Sequence, residues 1–412
     1  MARPSRRSSR GAILINVALG MMVFIGMTAF IVDYGVMWVG RGQAQNAADA
    51  GALAGAIAMA FDADGWTDRT PTGPARASAF QMTQTNGVWG QAPNVNLVTD
   101  VVFTNEPAAM CPPDANGLTP CIRVDVYRNQ QRGNPLPAIF GQAVGLVNQG
   151  VRATATARVA IADASDCLKP WAIPDKWADN HDTPQDNQWT LDDTFETGKK
   201  QGQNWIPYNP PDVYTPPSSS GTGTGFRVDV DLGLQVTLKA GGPQSSISPG
   251  VYFPVRLPTY SGGSTGGNDY SENIANCNGV AISIGTFLES ENGNMVGPTA
   301  QGVAALIAKD PTAAWDPNTK SVVNSCAQGN PSCGTSSPRI VAIPIFDNAL
   351  YESTKRQGLP QFKIVNILGF FLDEMQGNDV RGYLTEAPGL STGATPALNT
   401  QSSFLNQIQL IR

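Results

Sequence analysis

The chain has 412 residues, which is enough for two or three domains at roughly 150 residues each. Hydrophobic residues make up 41% of the sequence, enough for real cores, whereas charged residues make up only 15%. With 43 glycines and 31 prolines, this composition favours a loop-rich, mainly β exported protein over a cytoplasmic enzyme. The net charge of −6 argues against a nucleic-acid groove, which would need clustered lysine and arginine.

The N-terminal region is basic and then strongly apolar. Residues 11–32 form an apolar run that, as a helix at about 1.5 Å per residue, reaches roughly 33 Å, the thickness of a bilayer core. No lysine or arginine follows this run until Arg41, whereas four arginines precede it: Arg3, Arg6, Arg7 and Arg10. Positive charge on one flank predicts that residues 1–10 are cytoplasmic and that everything after Val32 crosses the membrane. A cleaved signal sequence fits less well, because its apolar core is only about 7–15 residues long.

Asp33, Tyr34 and Trp38 follow the predicted span directly. A carboxylate costs about 2.5–3.5 kcal/mol at the centre of a bilayer, so we expect Asp33 at the outer interface, where Tyr34 and Trp38 suit the aromatic belt. The alternative is that Asp33 pairs with a partner inside the membrane. Asp33 is therefore a candidate interaction residue.

The helix is expected to continue beyond the span, because residues 41–60 contain no proline and many alanines. Small residues recur on one face of this stretch, at Ala44, Ala47, Gly51, Ala54 and Ala58. A small-residue stripe lets another backbone approach closely. It either packs against the protein's own sheet or docks onto other subunits of an assembly.

Two motifs in this region carry a resemblance to a known family. The sequences Val32-Asp33-Tyr34-Gly35 and Gln45-Asn46-Ala47-Ala48-Asp49-Ala50-Gly51-Ala52-Leu53-Ala54, after an arginine-rich start and one span, resemble the TadE/TadG-like proteins of Flp (tight adherence) pilus assembly. The resemblance implies an anchor in the bacterial inner membrane, with the bulk of the chain outside. Minor pilins of this kind are cut after a glycine, with a glutamate five residues on. Here Asn16 stands five residues after Gly11, so we expect the anchor to be retained.

Residues 33–162 predict a small α+β domain in which the long helix packs on a sheet, an architecture that resembles pilin-like proteins. Alternating, valine-rich patterns predict its strands. Asn134, Pro135 and Pro137 predict the start of a helix that runs to about Val147. The predicted strands cover residues 94–103, 121–127 and 151–161, and a short helix covers residues 75–85.

Residues 163–412 predict one mostly β domain with long loops. Pro254 interrupts one of its strands and predicts a sheet edge. A helix is expected over residues 298–308. The predicted strands cover residues 226–240, 251–257, 282–288, 339–346, 362–372, 378–384 and 405–411.

All six cysteines follow the predicted span, in a compartment that would be oxidising, so disulfides are favoured. Six cysteines allow 15 pairings, and sequence alone does not fix which one forms. The short loop between them favours Cys111–Cys121, followed by Cys326–Cys333, which leaves Cys167–Cys277. Zinc is disfavoured because the chain has one histidine and no Cys-x-x-Cys pair.

Catalytic and cofactor motifs are not found in the sequence. His181 lies in a polar loop, and Gly-x-Ser-x-Gly, a phosphate-binding loop and His-Glu-x-x-His are missing. We therefore predict no enzyme activity, no cofactor and no metal site. The densest acidic run is either a solvated loop or a calcium site, and it comprises Asp175, Asp179, Asp182, Asp186, Asp192, Asp193 and Glu196.

The sequence therefore predicts a membrane-anchored, non-enzymatic component of Tad/Flp pilus assembly or secretion, similar to a minor pilin. Its expected partners are the inner membrane and other pilus-assembly subunits or pilins, with no nucleic acid. The alternative is an envelope-anchored surface binding module or adhesin that uses the β domain.

Overall fold

The computed structural model describes residues 10–62, 64–114, 116–181, 188–242, 245–258, 266–326, 337–393 and 398–411. The chain divides into two compact units, described separately below. The first unit takes the chain up to Val159 together with the residues from Ile408 on, and the second unit is Ala160–Gln407.

The first unit is built on one continuous helix, α1 (Arg10–Phe61), of 52 residues. The predicted passage from apolar run to alanine-rich helix without a break is thereby confirmed. The second helix, α2 (Pro74–Thr85), has its proline in the first turn, where the missing N–H costs no hydrogen bond. It packs along the C-terminal half of α1.

The sheet of the first unit contains an antiparallel hairpin and one long partner strand. The strand order is β1–β2–β5 followed by the C-terminal strand of the chain. Val101 pairs with Val124, and the pairing of β2 with β5 runs from Cys121 opposite Arg158 to Arg128 opposite Val151. The strands numbered so far are β1 (Val101–Phe103), β2 (Cys121–Arg128), β3 (Leu136–Pro137), β4 (Asn148–Gln149) and β5 (Val151–Ile161).

The core of this unit lies between α1, α2 and the sheet. Alanines supply the helical side, for example Ala48 and Ala52, and valines supply the strand side, for example Val124 and Val126. Alanine brings the helix backbone close to the sheet, so that branched strand residues fill the remaining space. The predicted strands over 121–127 and 151–161 are confirmed, whereas the predicted strand over 94–103 is reduced to β1.

The predicted helix over residues 134–147 is wrong. The chain instead forms the short antiparallel pair β3–β4, with Leu136 opposite Gln149, around a 3₁₀ helix at Gly141–Val144. Two physical causes compete with a helix here. Gly145 has a φ of +85°, which ends the 3₁₀ helix. The backbone amides of residues 139–141 are bound by the Asp33 carboxylate of α1.

The second unit is mostly β. Its helices are α3 (Val228–Asp231), α4 (Gly267–Ala275), α5 (Val296–Lys309) and α6 (Asn348–Arg356). Its strands are β6 (Ala164–Ser165), β7 (Trp171–Pro174), β8 (Gly198–Gln201), β9 (Asn204–Pro207), β10 (Gln235–Ala240), β11 (Val251–Arg256), β12 (Ile282–Ser283), β13 (Phe287–Ser290), β14 (Ala314–Asp316), β15 (Ser321–Val323), β16 (Ile340–Phe346), β17 (Phe362–Gln376), β18 (Asp379–Thr385), β19 (Ala387–Pro388) and β20 (Leu405–Ile411), whose last four residues belong to the first unit.

Six of these strands close into a barrel. The ring runs β10–β18–β17–β16–β7–β11 and returns from β11 to β10. The pairs β10–β11 and β7–β16 are parallel, and the other four are antiparallel. One face of the strands packs with α4 and α5, around Trp171 and Phe370, and the other face makes a second core around Phe253, Phe346 and Tyr351.

Two strand predictions in the barrel need correction. The predicted strand over 226–240 begins only at Gln235, because α3 and a turn at Gly233, with a φ of +85°, precede it. The strand with Pro254 is not at a sheet edge, since β11 pairs with β7 on one side and with β10 and β13 on the other. The carbonyl oxygen of Pro254 still accepts the N–H of Glu291 at 2.8 Å, so the proline removes only a donor from the sheet.

Candidate functional site

Within the part of the chain that the structure describes, no other element buries the apolar half of α1. Every large apolar side chain from Ile13 to Ile31 is at least 55% exposed. Among the described residues, α1 is the one helix long and apolar enough to cross a membrane. These properties are consistent with a single-pass membrane anchor, because such a surface is unfavourable in water and favourable in hydrocarbon.

Three aromatic side chains follow one another along α1 where its apolar half ends. The rings of Phe30 and Tyr34 have centroids 6.1 Å apart, and those of Tyr34 and Trp38 are 6.4 Å apart. Their spacing of four residues places them on one face of the helix. Tyrosine and tryptophan prefer the membrane–water interface, since each has an apolar ring and a polar atom.

Asp33, between these aromatic residues in sequence, holds a loop of the first unit. One carboxylate oxygen accepts the backbone N–H of Ile139 at 2.7 Å and of Phe140 at 3.2 Å. The other accepts the N–H of Gly141 at 2.5 Å and shares that of Phe140. Hydrogen bonds to a charged acceptor are about twice as strong as neutral ones, so this contact fixes the loop to α1.

The sequence analysis offered two hypotheses for Asp33, the outer interface or a partner inside the membrane. The structure gives its carboxylate a partner that neither hypothesis named, namely backbone amides of its own chain. No sequence pattern pairs a residue with a loop more than a hundred positions away. The local signal was limited to Gly141 and Gly145, which disfavour a helix at this point.

The small-residue stripe lies inside the first unit. Ala44 and Ala47 are fully buried and Ala58 is 2% exposed, whereas Ala54 is half-buried. Gly51 is buried against α2, where an added Cβ would meet the Thr83 hydroxyl and the Ala79 carbonyl oxygen. The face that could have docked onto another subunit thus packs against the protein's own helix and sheet.

A cleft of about 250 Å³ opens beside the aromatic residues, where α1 meets the start of β5. It combines aromatic and cationic side chains at the level where the apolar half of α1 ends. Arg152 is also held by the buried Asp125, at 3.1 Å. The cleft is lined by Tyr34, Met37, Trp38, Arg41, Gly150, Val151 and Arg152.

Two of the three expected disulfides lie entirely within the described residues, and both are formed. Cys111 is bonded to Cys121 in the first unit, and Cys167 is bonded to Cys277 in the second. Cys333 lies outside the described residues, so the pairing Cys326–Cys333 stays a prediction.

The acidic run does not form one cluster. Asp182 and Asp186 lie outside the described residues. Asp175 is buried and accepts the N–H of Phe226 at 2.8 Å, and burial raises its pKa to about 7. Within the described ranges, no three His, Cys, Asp or Glu side chains are grouped so that they could hold a metal ion.

The isolated histidine has a structural setting as well. The His181 ring stacks on Tyr208 with centroids 3.6 Å apart, and its Nε2 is 4.0 Å from the Glu196 carboxylate. A hydroxyl nucleophile is not among these contacts. The arrangement packs a loop of the second unit.

Comparison with known proteins supports the resemblance in the N-terminal segment. Residues 11–60 match the family model of TadE/G-like Flp pilus-assembly proteins. Neither a curated protein nor a solved structure matched the chain. The matched residues contain the apolar run, Asp33 and the small-residue stripe, so the similarity to TadE/G-like Flp pilus-assembly proteins covers this segment.

Proposed function

We propose that this chain is a membrane-anchored, non-enzymatic component of Tad/Flp pilus assembly or secretion, similar to a minor pilin. The observation that carries the proposal is the family match over residues 11–60, on the same helix whose apolar half is exposed. The anchor would lie in the bacterial inner membrane, with residues 1–10 in the cytoplasm and the residues after Val32 in the periplasm. Its partners would be other pilus-assembly subunits or pilins.

The different surroundings of the two halves of α1 support this proposal. Its first half carries exposed, mostly apolar side chains, and its second half is packed with α2 and the sheet. A helix that is half anchor and half core is the layout expected of a pilin-like subunit. The disulfides support an oxidising location outside the cytoplasm.

The decisive experiment measures pili sheared from cells that lack this gene. We expect few or no pili, restored by the full chain. A matched control replaces residues 1–32 with a cleavable signal sequence, so that the rest of the chain is exported without its anchor. We expect this chain not to restore pili. Normal pili in the deletion strain would contradict an assembly role.

A surface binding module remains the second candidate, because the family match ends at residue 60 and leaves the barrel uncovered. Unchanged pili combined with loss of attachment to surfaces would favour it. Protease treatment of intact cells separates the two functions further, since an adhesin must expose the second unit outside the cell.

A further inference from the structure

The loop between β3 and β4 exposes an unusual set of side chains. Ile139, Phe140, Leu146 and Val147, which we call the loop patch, are 45–63% exposed. Four large apolar side chains within nine residues, on a loop that contacts water, form a surface that soluble proteins normally avoid. The loop patch is therefore a candidate contact surface.

The position of the loop patch is set by α1. Asp33 binds the backbone amides of residues 139–141, and it directly follows the apolar run. A second contact lies two turns further along α1, where Leu136 packs on Gly40. A Cβ added to Gly40 would lie 2.7 Å from Cδ1 of Leu136. The loop is thus fixed to the helix at the level where the apolar run ends.

The sequence around the loop patch is consistent with a position at the end of the apolar run. No charged residue occurs from Gly133 to Val151, and arginines stand at both ends of that segment, Arg132 and Arg152. An apolar surface bordered by cations is typical of segments that lie in the membrane interface. The aromatic residues Tyr34 and Trp38 are exposed at the same end of the span.

We propose that the loop patch inserts into the outer leaflet of the bilayer that α1 crosses, among the phospholipid headgroups and upper acyl chains. The inference rests on the proposed membrane anchor and adds a second point of contact. A single helix can tilt and rotate in a bilayer, whereas a helix plus an inserted loop fixes the orientation of the first unit above the membrane. Asp33 is the positioning residue of this arrangement.

The test places a photoreactive p-benzoylphenylalanine in the full chain, reconstituted in phosphatidylethanolamine–phosphatidylglycerol vesicles with a labelled lipid. The test position is Phe140. Phe30, in the apolar run, reports on the anchor, and Phe287, an exposed phenylalanine of the second unit, is the negative control. We expect lipid adducts at positions 30 and 140 and at least tenfold fewer at position 287.

Each other outcome overturns the proposal in a distinguishable way. Adducts at position 30 but not at position 140 would leave the anchor intact and reject the inserted loop. A crosslink from position 140 to a second copy of the chain would mean that the loop patch is a protein interface. Equal adducts at positions 140 and 287 would indicate non-specific lipid contact. Without adducts at position 30, the anchor itself fails, and the loop proposal with it.

Substitution of Asp33 tests the positioning role in the same vesicles. Asp33→Ala removes both acceptor oxygens. Asp33→Asn retains one oxygen but replaces the other with an amide NH₂ group, which cannot accept a hydrogen bond from the backbone N–H. We expect the lipid adduct at position 140 to fall several-fold in Asp33→Ala and less in Asp33→Asn, with the adduct at position 30 unchanged. Unchanged adducts at position 140 in both variants would show that Asp33 does not position the loop.

Discussion

Gly51 allows α1 and α2 to approach more closely than any larger residue would permit. An added Cβ would meet the Thr83 side chain and would lie 3.0 Å from the Ala79 carbonyl oxygen. Both neighbours are held in place, since the Thr83 hydroxyl donates to that same carbonyl at 2.7 Å. The neighbours can move only if the two helices separate.

We therefore expect Gly51→Ala to lower the free energy of unfolding of the first unit by about 1–3 kcal/mol, the usual cost of overpacking. Gly42 is the matched control, because it is an exposed glycine of the same helix with nothing within 4 Å of an added Cβ. Gly42→Ala should be neutral or stabilising by up to about 1 kcal/mol. Hydrogen exchange of the α2 amides in the detergent-solubilised chain measures both, and equal exchange in the two variants would contradict the close contact.

Glu386 makes the stability of the second unit depend on pH. Glu386 is partly buried and its carboxylate accepts the Asn406 side-chain amide at 2.7 Å, and loss of solvation raises its pKa to about 7. The folded state therefore holds a proton at pH values where the unfolded state, with a pKa near 4.5, has released it. This contribution is fully present below pH 4.5 and is lost as the pH rises through 7.

We expect the second unit to lose up to about 3 kcal/mol of stability through Glu386 between pH 4.5 and 7.5. Glu386→Gln keeps the acceptor for Asn406 but cannot release a proton, so it should flatten this dependence. Asp175, with a pKa also raised to about 7 by burial, has the same sign and should leave a residual slope. Denaturant midpoints at several pH values measure the effect, and identical slopes in the variant and the parent would contradict it.

At the scale of elements, the disulfides Cys111–Cys121 and Cys167–Cys277 close loops of very different length. Cys111–Cys121 spans 10 residues of sequence, and Cys167–Cys277 spans 110. If a disulfide acts by restricting the unfolded chain, the shorter loop contributes about 3 kcal/mol and the longer one about 5 kcal/mol. The two bonds lie in different units, so their effects can be measured separately.

We therefore expect Cys167→Ala with Cys277→Ala to destabilise the second unit by more than Cys111→Ala with Cys121→Ala destabilises the first. Hydrogen exchange of β17 and of β2, followed over a denaturant series, reports on the two units. A larger loss from the short loop would mean that native packing around Cys111 and Cys121, both fully buried, outweighs loop entropy.

Elements set by local pattern could be predicted from the sequence, and elements set by distant contacts could not. The alanine-rich continuation of α1 and the alternation of Val151–Ile161 each depend on neighbouring residues, and both formed as predicted. The segment of residues 134–147 begins with a helix-start signal, but the amides of residues 139–141 are bound by Asp33, more than a hundred residues away. Closure of the barrel depends likewise on β7 reaching β11 and β16, which no local pattern encodes.

The candidate site was predicted in part for the same reason. The apolar run, the aromatic residues and Asp33 were visible because each is unusual at its position. The loop patch was missed, since its residues were predicted to belong to a helix over 134–147. Only its lack of charge from Gly133 to Val151, bordered by arginines, was available as a signal in the sequence.

At the scale of the whole molecule, the first unit is formed by two separate parts of the chain, one N-terminal and one C-terminal. The domain boundary predicted from the sequence, between residues 162 and 163, assigned all later residues to the second domain. In the structure, the residues from Ile408 on belong to the first unit. The second unit is thus inserted between β5 and the C-terminal strand of the first unit's sheet. The side chains of Ile408 and Leu410 pack against the core of the first unit, and Arg158 donates to Gln409 at 2.8 Å.

This topology predicts that the end of the chain stabilises its beginning. A chain that ends at Gln407 should lose protection of the β5 amides and should aggregate, because the edge of β5 is then left without a partner. Gln409→Ala, which keeps the backbone of the strand and removes the side-chain bonds to Arg158, should cost about 1–2 kcal/mol and leave the chain monomeric. Hydrogen exchange and size-exclusion chromatography in detergent measure both variants. If the shortened chain protects β5 as well as the full chain does, the C-terminal strand is dispensable and the first unit is complete at Val159.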